Sequence, residues 1–205
     1  MKLYSGFAPN PLRVTVFLSE KGLDVPVAPI NVPAGDTRQE QFLALNSLGE
    51  IPVLELDDGT ILTESIAICR YFEALHPAPS LFGEDARSQA VIEMWNRRME
   101  LKVFNAIGDV ARHEFSFFAD RGQVSEFAEL RRNDFASILN WLDRELADGR
   151  PFIAGEKFSV ADITGMVTLV LALFARYDVE TGRVHLSRWA QSVRARASFP
   201  EMPGA

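Results

Sequence analysis

The spacing of apolar residues changes once along this chain, from short mixed periods to long helical ones. Residues 2–5 read as a short strand, and residues 5–11 follow as a turn-rich loop holding Gly6, Pro9, Asn10 and Pro11. Over residues 12–21, Val14, Phe17 and Leu18 recur at i, i+3 and i+4, the spacing of one helix face. Gly22 stands where a helix-ending glycine belongs, with apolar Leu23 after it. Residues 25–32 read as a second strand, which Pro26 and Pro29 confine to an edge or to poor pairing. A short helix is expected at 39–45. Two β-rich runs, 53–56 and 60–63, flank Asp57-Asp58-Gly59, a hairpin signature. Residues 64–75 are helical again until His76-Pro77-Ala78-Pro79 stops them. The order β-α-β-α-β-β-α predicts a parallel pair joined by a crossover helix and an antiparallel hairpin. Together they make a mixed four-stranded sheet flanked by helices.

From about residue 84 the strand signals vanish. Residues 86–110 are expected as one long helix and 124–146 as another, the latter with Phe127, Leu130, Phe135, Ile138, Leu142 and Leu146 at helical spacing. An almost wholly apolar helix runs from Ser159 to about 175, and a last one covers 186–197, ending near Pro200. A helix that is apolar all round is central in its bundle, so the second half is an all-α domain built around the Ser159 helix. Ser159 as N-cap, Asp162 at the third helical position, and Phe158 with Ile163 form a capping box with a hydrophobic staple. The turn-rich stretch 76–84 separates two domains, 1–78 and 84–205.

Composition narrows the classes. At 205 residues and 47% apolar, the chain is too hydrophobic for disorder and long enough for one or two packed domains. Its 21 basic and 28 acidic side chains leave a net charge of −7, which argues against nucleic acid or an anionic membrane as partner. The most apolar stretch, 166–175, is half of the roughly 20 residues needed to span a bilayer, and no signal-like apolar run opens the chain. The one cysteine, Cys69, excludes an internal disulfide, a CxxC pair and a cysteine-rich zinc site, and fits a reducing, cytoplasmic setting. It reads as a small buried apolar residue. His76, His113 and His185 are scattered without metal-ligand spacing, so no metal is expected.

Three features of the first domain could carry chemistry. The loop Phe7-Ala8-Pro9-Asn10-Pro11 lies between a strand and a helix N-terminus, where free N–H groups and the helix dipole favour an anion and lower the pKa of a thiol. Gly49-Glu50-Ile51-Pro52-Val53 places an X-Pro bond just before a strand; in the cis form it leaves the Ile51 backbone to pair with a peptide-like ligand. Thr63-Glu64-Ser65 opens the next helix, where Ser65 can hold a carboxylate and Glu64 an ammonium group. Read singly, each is an ordinary turn, strand start or helix cap. Together they match the thiol, the peptide backbone and the amino-acid end of γ-glutamyl-cysteinyl-glycine.

The order of elements, the GEIPV segment with Pro52, the TES at 63–65 and the FSVAD cap at 158–162 resemble the cytosolic glutathione S-transferase family over essentially the whole chain. The resemblance implies an α/β thioredoxin-like N-terminal domain, an all-α C-terminal helical bundle and a homodimer. It implies glutathione as co-substrate, with Ile51 beside a cis Pro52 on the cysteinyl backbone, Glu64 and Ser65 on the γ-glutamyl end, and Arg38 on the glycine carboxylate. The second substrate, a hydrophobic electrophile or a peroxide, would meet Phe7, Arg98 and Met99.

The departures from the family pattern bear on mechanism. Ala8 stands where many members have Ser or Cys before the proline, and no Tyr ends the first strand. Two candidates for the thiol contact are Asn10 and Ser5. Ala8-Pro9-Asn10 is similar to the loop of the Nu-class and Ure2-like branch, where an asparagine meets the thiol. An amide N–H removes no proton but stabilises a thiolate once formed. Ser47 replaces a common proline, and Glu50 puts an acid where a basic residue is common. Two functions follow: glutathione-dependent conjugation or peroxide and disulfide reduction, or a catalytically weak module that binds or interacts on the same fold.

Overall fold

The computed structural model describes residues 1–200, so positions 201–205 of the expected second domain lie outside the described residues. Backbone contacts divide the chain into two compact units, Met1–Ser80 and Leu81 onward.

The first unit runs β1 (Lys2–Ser5), α1 (Pro9–Lys21), β2 (Val27–Pro29), a 3-10 turn (Asp36–Arg38), α2 (Glu40–Leu45), β3 (Val53–Glu55), β4 (Ile61–Leu62) and α3 (Ser65–Leu75). The sheet order is β2-β1-β3-β4. β1 pairs parallel with β2, Leu3 opposite Val27, and antiparallel with β3, Leu3 opposite Leu54. The proline-bearing strand is shorter than its apolar run and sits on the edge, where a missing N–H costs least. Strand alternation then sorts the core. Tyr4 and Val53 share one face with Phe42 of α2 and with Ile51, so α2 covers that side. Leu3 and Leu54 point the other way and are fully buried, on the side of α1 and α3, which pack on each other.

A buried lysine closes the far end of that helix pair. Gly22 adopts φ 64° and ends α1, while the side chain of Lys21 turns inward. Its Nζ lies 2.5 Å from the Glu73 carboxylate and donates to the carbonyls of His76 (2.8 Å) and Pro79 (2.5 Å). The C-terminal ends of α1 and α3 are thereby tied, and their N-terminal ends are held in register at the opposite end of the unit.

The second unit contains α4 (Ala86–Arg98), a π-helical turn (Met99–Phe104), α5 (Asn105–Glu114), α6 (Ser125–Glu145), α7 (Val160–Phe174) and α8 (Val184–Arg194). The expected single helix 86–110 is therefore interrupted and ends four residues later. The reason lies in its apolar spacing. Trp95, Met99 and Val103 are all buried and stand four apart. Each such step drifts by about 40° around an α-helix. The wider turn at 99–104 cancels that drift and keeps one face inward. α7 is buried along residues 160–172, which makes it the centre of the bundle. A β-carbon on Gly165 would lie 2.4 Å from the Trp189 ring, so α7 and α8 meet where only glycine fits. Among the described residues no helix is long and apolar enough to cross a membrane, and no His/Cys/Asp/Glu group could hold a metal ion.

Candidate functional site

The start of α1 is poor in backbone donors by construction. Ala8, the N-cap, has no capping side chain; Pro9 and Pro11 have no N–H; and the N–H of Leu12 already bonds the Ala8 carbonyl (3.0 Å). Asn10 therefore supplies the donors of this turn, and its side chain is exposed. Ser5 lies on β1, 8% exposed, with its carbonyl accepting from the Ile30 N–H (2.7 Å). Of the two candidates for the thiol contact, Asn10 is the one presented to solvent.

Beneath Asn10 lies a residue not singled out from the sequence. Arg13 is 1% exposed, and its NH1 donates to Asn10 Oδ1 (3.3 Å) and to Ser65 Oγ (2.7 Å). One guanidinium thus joins the first turn of α1 to the first residue of α3. Because Ser65 Oγ accepts from Arg13, its own proton remains to donate outward. Glu64, the N-cap of α3, is exposed and adopts φ 64°, ψ 113°, a conformation an L-residue holds at a cost of about 1–3 kcal/mol. The strain falls at a helix start that carries an exposed carboxylate.

The segment around Pro52 lies against the first loop. The Ile51–Pro52 bond is cis, and the β1–β3 ladder begins at Val53, leaving Ile51 ahead of it. Gly6 of the first loop lies against this segment: a β-carbon there would sit 3.2 Å from Ile51 Cδ1 and 2.4 Å from the Ile30 carbonyl oxygen. Gly49 adopts φ 63° and brings Arg38 alongside, since a β-carbon would be 2.8 Å from Arg38 NH1. Asn46 pins the turn by donating to the Glu50 carbonyl (2.9 Å) and accepting from the Leu48 N–H (3.2 Å). A chain of close contacts therefore runs Arg38–Gly49, Ile51–Gly6, and Asn10–Arg13–Ser65. Glu50 is exposed beside it. Cys69, one turn after Ser65, is fully buried, and burial pushes its thiol up to about 12, so it is no nucleophile.

Two family models match this architecture. The glutathione S-transferase N-terminal domain covers residues 7–75, and the C-terminal domain covers residues 93–192. Glutathione S-transferase 2 of Saccharomyces cerevisiae is 33% identical over 199 residues, spanning 95% of this chain and 85% of that protein. The chain belongs to the glutathione S-transferase family. A crystal structure of a glutathione S-transferase domain-containing protein from Marinobacter aquaeolei VT8 is similar to it with a TM-score of 0.91 at 37% identity, covering 98% of this chain and 100% of that one. Gtt2 from Saccharomyces cerevisiae is similar with a TM-score of 0.90 at 32% identity, over 97% and 98% of the two chains.

The residues expected to meet the second substrate have different fates. Arg98 lies over the Trp95 ring at 4.9 Å and helps line an open cavity of about 420 Å³ with Lys102, Ile138, Trp141 and Glu145. Met99 is 1% exposed, and its methyl group lies 3.4 Å from where a Gly165 β-carbon would be. It fills the core between the π-helical turn and α7 instead of lining that cavity. Phe7, in the first loop, is 48% exposed.

Arg13 and Gly6 are the residues of this cluster that periodicity passes over. Arg13 shares a four-residue ridge with buried Phe17 and Lys21, so a charge on an apolar stripe near a helix start was the available signal.

Proposed function

We propose that this chain is a glutathione transferase that binds glutathione through its N-terminal domain and stabilises the thiolate with Asn10. Glu64 and Ser65 take the γ-glutamyl ammonium and carboxylate, the Ile51 backbone pairs with the cysteinyl residue, and Arg38 takes the glycine carboxylate. The observation that carries this reading is the convergence of an exposed Asn10 at one helix start with Glu64-Ser65 at another, through one buried arginine. The thiol proton leaves to solvent, and the α1 terminus with the Asn10 amide N–H stabilises the sulfur anion. Sulfur then attacks an electrophilic carbon: the C–S bond forms and the leaving group departs with its electron pair. With a hydroperoxide, sulfur attacks the terminal oxygen, the O–O bond breaks and an alcohol leaves. A second glutathione converts the resulting sulfenic acid to glutathione disulfide and water. Phe7, exposed in the first loop, is the residue of the N-terminal domain that meets the second substrate. A homodimer, usual in this family, and a cytoplasmic location go with the same reading.

Asn10→Ala tests it in steady-state turnover against chloronitroarenes and organic hydroperoxides. The expected result is a kcat lowered about tenfold to a hundredfold, as for loss of one preorganised donor, with the KM for glutathione within about twofold. Unchanged kcat removes Asn10 from the mechanism. Ala8 favours a second reading, because neither hydroxyl nor thiol stands at that position. A fold that binds glutathione yet turns over none of the panel would be an interaction module.

A further inference from the structure

We infer that, with Asn10 as donor to the thiolate, Arg13 is the positioning residue that sets which end of the Asn10 amide faces the sulfur. A side-chain amide has a donor end and an acceptor end, and an exposed asparagine can present either. The acceptor end would repel a thiolate. A guanidinium has five N–H donors and no acceptor, so the amide atom that meets it is the oxygen. Arg13 NH1 lies 3.3 Å from Asn10 Oδ1, and Nδ2 therefore points away, toward the exposed side of the helix start. The choice is built in because Arg13 cannot swing aside. It is 1% exposed, and the same nitrogen is held by Ser65 Oγ at 2.7 Å. The two N–H groups of NH1 serve the two partners at once, which couples the thiol end of the site to the γ-glutamyl end. The guanidinium also places a full positive charge beside the positive ends of α1 and α3, where a bound anion is most favoured.

The test is a double-mutant cycle on kcat with Asn10→Ala, Arg13→Met and the pair, using glutathione and a chloronitroarene. Arg13→Met is expected to lower kcat at least tenfold and to raise the KM for glutathione a few-fold, because Ser65 loses its donor. In the Arg13→Met background, Asn10→Ala is expected to cost less than twofold more, since an unoriented amide has little left to lose. Arg13→Lys, which keeps the charge and a donor, is expected to recover part of kcat. Independent, multiplicative losses overturn the positioning role while leaving Asn10 in place. So does Arg13→Lys behaving no better than Arg13→Met. Full kcat in Asn10→Ala overturns both roles together. If Arg13→Met does not fold, the Arg13→Gln variant, whose amide has a donor and an acceptor end and so sets no orientation, goes through the same cycle, and multiplicative losses there overturn the inference equally.

Discussion

At the scale of single residues, the site joins strain with preorganised donors. Glu64 holds φ 64° at the first turn of α3 although no left-handed cap is needed there for the helix itself. Glycine at that position would relieve about 1 kcal/mol or more of backbone strain while removing the carboxylate. Glu64→Gly is therefore expected to unfold at the same temperature as the parent or a few degrees higher, yet to bind glutathione at least fivefold more weakly. Thermal unfolding and calorimetry on the same samples check both halves. The placement of Asn10, Ile51, Glu64 and Ser65 at a loop, a strand start and a helix start was legible in the sequence because each sits beside a punctuating residue, a proline or a helix cap. Arg13 was not, because its partners are 3 and 52 positions away and a charge on an apolar stripe does not by itself name them. Met99 reads as a pocket residue from its position, but its contact with α7 is long-range and appears only in the packed bundle.

At the scale of elements, the strongest determinant is the start of α7. The Asp162 carboxylate accepts from the N–H groups of Ile153 (2.8 Å) and Ser159 (3.0 Å), the Ser159 hydroxyl (3.1 Å) and the Trp189 indole (2.9 Å). It ties the preceding loop, the helix start and α8 to one fully buried group. Burial pushes its pKa up to about 6, the four donors pulling the other way. The folded state therefore binds a proton that the unfolded chain releases between about pH 4 and 6. This group's contribution to stability is full below about pH 4 and is lost as pH rises through 6, a change of about 3 kcal/mol. Asp162→Asn has no such slope, so the stability gap between parent and variant is expected to be larger at pH 4.5 than at pH 7.5. Denaturant unfolding at the two values measures it; a gap that widens with pH contradicts the assignment. The capping box, the hairpin turn at Asp57-Asp58-Gly59 and the all-apolar α7 were readable because each is a local signal. The break at 99–104 was not, since a π-helical turn serves the drift of a buried face and has no residue signature of its own.

At the scale of the whole molecule, two units with different grammars are joined in one chain that carries a net charge of −7. Glutathione is itself an anion, so an acidic protein that binds it must gather positive potential locally. In the proposed site it comes from Arg13, Arg38 and two helix N-termini. The division into a mixed-sheet unit and a helical unit could be read from the loss of strand signals near residue 84, and the parallel pair and the hairpin from the crossover and hairpin rules; the antiparallel β1–β3 pairing that joins them could not. What reading could not reach is how four separated segments meet, because that depends on close approaches such as Gly6 against Ile51. The most direct measurement is a calorimetric titration of the purified protein with reduced glutathione, beside Ser65→Ala. Saturable binding at one site per chain, weakened at least tenfold in Ser65→Ala while thermal unfolding shows that variant still folded at the assay temperature, is the expected result. No saturable binding by the parent, or equal affinity in the variant, would contradict the assignment of the Asn10–Arg13–Ser65 cluster as the glutathione site.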